Sequence, residues 1–88
     1  MANERSEGDR ERVTRVVYET VAGILPAVPT GRITGDKHLK DLGADSVDRV
    51  EIVLALIDTL GVNAPMACFS NLPDIDSLVD FLVDAERT

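Results

Sequence analysis

The chain has 88 residues, enough for one small domain with a modest core and too few for a deep catalytic cleft with its own supporting shell. Hydrophobic residues make up 44% and aromatics only 3%, so the chain is too apolar to stay disordered and its core must be aliphatic. A formal net charge of -7 argues against nucleic acid and anionic membrane surfaces as partners and favours proteins with basic docking patches.

The stretch "MANERSEGDRER" lacks the apolar segment of a signal peptide, and residues 1–8 read as a flexible N-terminal tail ahead of a single domain spanning 9–86. Cys68 is the one cysteine, so no internal disulfide or thiolate cluster is available, which fits a reducing cytoplasm. No apolar run is long enough to span a bilayer. From Asp9, Val13, Val16, Val17, Val21, Ile24 and Leu25 follow helical spacing, until Pro26 ends the helix.

Pro26 to Ala44 is a long connection with Pro29, Gly31, Gly35 and Gly43 and no clear period. Connections of this length in a small domain tend to be functional, and Ile33, Leu39 and Leu42 are expected to pin this one to the core. A second helix is predicted from Ser46 to about Leu60, closed by Gly61. Val47, Val50, Val53, Leu54, Ile57 and Leu60 share a broad apolar arc predicted to face the core, with Asp48, Glu51, Ala55 and Asp58 on a narrower exposed arc. Pro65 suits the first position of a short helix in "NAPMACFSN". A last helix follows Pro73 and Asp74, striped by Ile75, Leu78, Val79, Leu82 and Val83. The expected fold is all-α: a small four-helix bundle of three main helices and one short third helix, with a long loop between the first two.

Ser46 admits two readings on local chemistry. It can cap the second helix, since a serine hydroxyl accepts from an orphan backbone amide, although Asp45 can serve equally well. Asp45 and Asp48 also complement the positive end of the helix dipole. The other reading is that Ser46 carries a group.

The constellation "LGADSVD", set between a long loop and an amphipathic helix in an acidic helical domain, closely resembles the acyl carrier protein family. In that family an Asp-Ser-Leu motif at the start of the second helix takes phosphopantetheine on its serine. Here the motif stands as Asp45-Ser46-Val47, with valine keeping an apolar anchor where the family has leucine. "DLGA", Asp41 to Ala44, and "EIVLAL", Glu51 to Leu56, extend the likeness, which covers the chain from about Asp9 to Ala85. The resemblance implies that a phosphopantetheinyl transferase modifies Ser46. It implies too that the arm holds acyl groups as thioesters, and that the protein presents them without catalysing bond changes. From charge alone, a phosphodiester beside Asp45 and Asp48 should be repelled outward, leaving the arm mobile.

The chain departs from primary fatty-acid carriers, whose second and third helices are strongly acidic. Here the second keeps Asp48, Glu51 and Asp58 but adds Arg49, and "PMACF" has no carboxylate. "DSVDRVEI" resembles the free-standing donor carriers of polyketide β-branching cassettes. The resemblance implies a malonyl group, loaded by an acyltransferase and decarboxylated to acetyl by a decarboxylating ketosynthase. The acetyl then passes to an enzyme resembling hydroxymethylglutaryl-CoA synthase. On that reading Asp48, Arg49, Glu51, Asp58, Met66 and Phe69 are candidates for partner recognition. Val47, Val50, Leu54 and Ile57 are candidates for an acyl pocket, though the same residues serve an ordinary core equally well.

Phe69 and Met66 have a plain role closing the core, Cys68 reads as a small buried hydrophobe, and Tyr18 as a core-edge residue with a wet hydroxyl. His38 has no companion for metal or catalytic work. A serine hydrolase lacks its nucleophile elbow and a suitable histidine. Primary fatty-acid synthesis is the alternative pathway, and an unmodified interaction bundle the alternative class. A monomer with transient partners is expected.

Overall fold

The computed structural model describes residues 2–69 and 72–86, the side chains of residues 2–8 excepted. Three α-helices form the frame: α1, Ala2–Ile24; α2, Ser46–Leu60; and α3, Ile75–Glu86. Short 3-10 turns at Thr30–Arg32, Leu39–Leu42 and Met66–Phe69 punctuate the connections, and no strand occurs among the described residues. The fold is all-α. The short helix expected after Pro65 is the four-residue 3-10 turn Met66–Phe69, closed by a Cys68 amide donating to the Pro65 carbonyl at 3.0 Å. The backbone is already helical from Ala2 rather than from the expected Asp9, because Glu4, Arg5 and Glu7 are all good helix formers and no proline intervenes.

Val13, Val17 and Val21 recur every fourth residue on α1, and all three are fully buried. They meet Ile52, Val53 and Leu56 from α2, and Ile75, Leu78, Val79 and Leu82 from α3. Full burial of each such side chain stabilises the fold by about 1.5–3 kcal/mol. Phe69 packs edge-on against Phe81, with ring centroids 4.9 Å apart and planes at 77°. α1 packs closely on both α2 and α3, whereas α2 and α3 approach each other much less. The side between them is where a cavity opens.

α2 is rotated from the predicted phase. Ile52 and Leu56, left out of the predicted core arc, are fully buried, while Val47 and Leu54 are 65% and 51% exposed and Val50 is 45% exposed. At about 100° per residue the apolar residues of α2 cover more than half its circumference, so the sequence leaves open which part faces inward. Packing against α1 takes the flank carrying Ile52 and Leu56 and leaves the opposite flank bare.

The long connection is fastened rather than loose. Ile33 and Leu42 are buried, as expected, and Leu39 is half-buried. The Gly35 and Lys37 carbonyls accept from the Asp76 and Ile75 amides at 2.9 Å each, satisfying two orphan donors at the start of α3. Asp74 Oδ1 accepts from the Ser77 amide at 2.8 Å as the N-cap. Arg12 joins α1 to α3 by donating to Glu86 at 2.7 Å, and Arg10 pairs with Asp80. Among the described residues no helix is long and apolar enough to cross a membrane.

Candidate functional site

The site lies where the long connection enters α2. Gly43 closes the turn Leu39–Leu42 in the left-handed region, at φ 90°, which glycine adopts without steric cost. Ala44 is buried, and Asp45 follows in extended conformation as the N-cap. Asp45 Oδ1 accepts from the Asp48 amide at 2.8 Å, and Asp48 Oδ2 accepts from the Asp45 amide at 3.3 Å. This reciprocal capping box satisfies the helix start without Ser46. Ser46 is the first helical residue, exposed, and its hydroxyl has no partner among the described residues.

Ser46 sits on the rim of a cavity of about 340 Å³ between α2, α3 and the connections. Val50, Val53, Phe69, Leu72 and Leu78 give it an apolar lining. Polar groups also line it: Ser46, Arg49, His38 and Asp74. Of the four expected acyl-pocket residues only Val50 lines this cavity. Val47 and Leu54 face away from it, and Ile57 is half-buried against the core, because the inward face of α2 lies on the Ile52 side.

The expected recognition residues separate into groups. Glu51 and Asp58 are exposed, and at helical spacing they lie along one edge of the bare apolar stripe of Val47, Val50 and Leu54. Asp48 is drawn into the capping box. Arg49 and Met66 line the cavity, with Met66 37% exposed. Phe69 is buried, packs edge-on against Phe81 and lines the cavity from inside. Cys68, expected in the core, is exposed because the short turn points only Phe69 inward.

His38 was not legible as a site residue. It caps the turn Leu39–Leu42, with Nδ1 accepting from the Lys40 amide at 2.9 Å and its own amide donating to Asp41 at 3.2 Å. That double attachment fixes the ring at the cavity wall. The signal available in the sequence was the spacing His38-x-x-Asp41 before a short turn, an unusual variant of the capping box. No group of three or more His, Cys, Asp or Glu among the described residues is arranged to hold a metal ion.

An exposed, unengaged hydroxyl at a helix start beside an apolar cavity suits the covalent attachment of a long, partly apolar group. Residues 15–82 match the family described as "Phosphopantetheine attachment site". The chain is 32% identical over 76 residues to the "Polyketide biosynthesis acyl-carrier-protein AcpK" of Bacillus subtilis (strain 168), covering 86% of this chain and 93% of that protein. It is also 32% identical over 69 residues to the "Methylphloroacetophenone synthase" of Cladonia uncialis, covering 75% of this chain but 3% of that protein. No solved structure matches the chain. The matched stretch takes in the whole of α2 and the cavity beside it, and on that match the chain belongs to the acyl carrier family of phosphopantetheine-attachment domains.

Proposed function

We propose that Ser46 is the attachment residue, and that the protein is a non-catalytic acyl carrier of polyketide assembly that donates acetyl units for β-branching. One observation supports Ser46 above the rest: Asp45 caps α2, so the neighbouring hydroxyl is left exposed and unengaged. Ser46 Oγ attacks the phosphorus of coenzyme A that bears the pantetheine, and the adenosine bisphosphate half leaves. The hydroxyl proton passes to the phosphopantetheinyl transferase. Once bound, the arm supplies a terminal thiol that holds acyl groups as thioesters.

The rest of the chain positions that hydroxyl. The capping box fixes the first turn of α2, and the loop fastened to α3 keeps the junction from shifting. On this reading the short turn Met66–Phe69 corresponds to the expected short third helix. The stripe Val47, Val50 and Leu54, bordered by Glu51 and Asp58, supplies an exposed face for transient docking with apolar contact at its centre and charge at its edge. Carriage from enzyme to enzyme raises the local concentration of the acyl group at each partner.

The polyketide reading rests on the Bacillus subtilis relative, of which nearly the whole length is matched. The β-branching role rests on Asp48-Arg49-Val50-Glu51-Ile52 after the serine. The partners on this reading are the phosphopantetheinyl transferase, an acyltransferase, a decarboxylating ketosynthase and an enzyme resembling hydroxymethylglutaryl-CoA synthase. A cytoplasmic monomer is the form that meets them.

Mass spectrometry of the protein from its native host, with fragmentation that ejects the arm, tests the proposal. Malonyl or acetyl on Ser46 is the expected finding. Long fatty chains would move the protein to primary lipid synthesis. An unmodified serine that a broad transferase and coenzyme A also leave unchanged would refute the carrier assignment of Ser46.

A further inference from the structure

Arg49 stands out among the arginines of this acidic chain by its place: Arg15 and Arg32 also make no ion pair among the described residues, but both are exposed. Arg10 and Arg12 are each paired with carboxylates of α3. Arg49 has no ion pair among the described residues, although the chain carries 16 Asp and Glu against 9 Lys and Arg. It is half-buried, and it lines the cavity together with Ser46. Among the carboxylates near it in sequence, Asp45 and Asp48 are held by each other's backbone amides and Glu51 is exposed. A guanidinium partly withdrawn from water and in no ion pair is suited to an anion that arrives later, and Asp74, the carboxylate on the same cavity, has its Oδ1 engaged by the Ser77 amide.

His38 lines the same cavity. Its Nδ1 accepts from the Lys40 amide, so the neutral ring carries its proton on Nε2 and has a donor to offer. Resting on the assignment of Ser46 above, we propose that Arg49 and His38 form an anion cradle for the phosphodiester that Ser46 acquires, and that this cradle lays the arm over the cavity rather than outward. Arg49 lies three residues after Ser46, one turn along the same helix face, where Cβ atoms are about 5–6 Å apart. A phosphate bonded to the serine oxygen is then within reach of the guanidinium without any folding of the arm. Arginine matches phosphate oxygens with paired donors in a way lysine does not. The outward repulsion expected from Asp45 and Asp48 is opposed by the Arg49 charge, and each of those carboxylates turns one oxygen to a backbone amide. Arg49 and His38 act here as positioning residues.

Phosphorus NMR of the loaded protein reads the contact directly. The wild type, Arg49→Gln, Arg49→Lys and His38→Gln are loaded with a transferase and coenzyme A, and intact mass confirms occupancy. The wild-type resonance should be shifted and broadened relative to free phosphopantetheine. In Arg49→Gln it should move and narrow toward the free compound, with Arg49→Lys and His38→Gln between. The same resonance in all four loaded proteins would overturn the cradle. If a variant resists loading, a salt titration of the loaded wild type reads the same contact. A resonance that moves toward the free value as ionic strength rises supports it, and one that stays fixed overturns it. Failure of the wild type itself to load on Ser46 would instead overturn the carrier reading.

Discussion

Asp45 and Asp48 each accept a hydrogen bond from the other's backbone amide, and this exchange is what leaves Ser46 unengaged between them. The cap and the proposed attachment point are adjacent residues. Asp45→Ala should therefore destabilise the fold by about 0.5–2 kcal/mol, the usual loss for an N-cap. Ser46→Ala should stay within about 0.5 kcal/mol of the wild type, as for an exposed residue away from any cap. Only the serine variant should abolish loading in a protein that still folds. Chemical denaturation and intact-mass analysis of both variants check this, and a Ser46→Ala loss matching that of Asp45→Ala would show the serine to be a cap.

Thr34 Oγ donates to Asp36 at 2.5 Å and, with the residue's own backbone hydrogen bond, holds the Asp36 carboxyl below its ordinary range. A carboxyl with a depressed pKa in the folded state contributes stability above its unfolded pKa and loses it as pH falls through the folded value. The contribution of Asp36 to the loop should thus be fully present near neutrality and be lost only in acid, from the ordinary carboxyl range downward. Thr34→Val should raise the Asp36 pKa toward its ordinary value, as read by NMR titration of its side-chain carboxyl. An unchanged titration would show that Thr34 is not the cause.

Arg12 is held above its ordinary pKa chiefly by its hydrogen bond to Glu86. Because the folded value is raised, the associated stability is present throughout the neutral range and lost only at strongly alkaline pH. The Arg12 side chain is largely exposed, so solvent screens the pair, and Glu86→Gln should cost about 0.2–1 kcal/mol at low salt. The difference should shrink as salt rises through the Debye range. Thermal melts of both proteins at two ionic strengths check this, and a salt-independent difference would assign the loss to packing instead.

Membership of the acyl carrier family was legible because the pattern that carries the resemblance is local: an acid, a serine and an apolar residue where a loop becomes a helix. The helices of the first and last thirds were legible for a related reason, since Val13, Val17 and Val21, or Ile75, Leu78, Val79 and Leu82, make a narrow stripe with one possible inward face. The capping duty of Asp45 was not, because serine and aspartate cap equally well and only the backbone conformation separates them. Nor was the part His38 takes in the cavity wall. That depends on how the long connection folds back onto α3 through Gly35 and Lys37, a contact between segments with no sequence signal of its own.

α2 carries the sharpest test, because its apolar surplus defeated the reading of its face. Ile52 is fully buried while Leu54, two residues on, is half exposed. The predicted arc placed Leu54 inside and omitted Ile52, so the two substitutions have opposite expectations under the two phases. Ile52→Ala should destabilise by about 2–5 kcal/mol, the cost of the lost transfer energy and the cavity left behind. Leu54→Ala should change stability by no more than about 0.5 kcal/mol. If the bare stripe is a docking face, Leu54→Ala should instead slow acyl transfer to the partner enzyme while loading of Ser46 persists. Denaturation midpoints decide the helix phase, and transfer rates measured on loaded protein decide the use of the exposed side. Equal destabilisation by both substitutions would mean that α2 is turned back toward the arc predicted from its hydrophobic spacing. A Leu54→Ala protein with wild-type stability and wild-type transfer would leave the helix phase intact and remove the stripe from the docking surface.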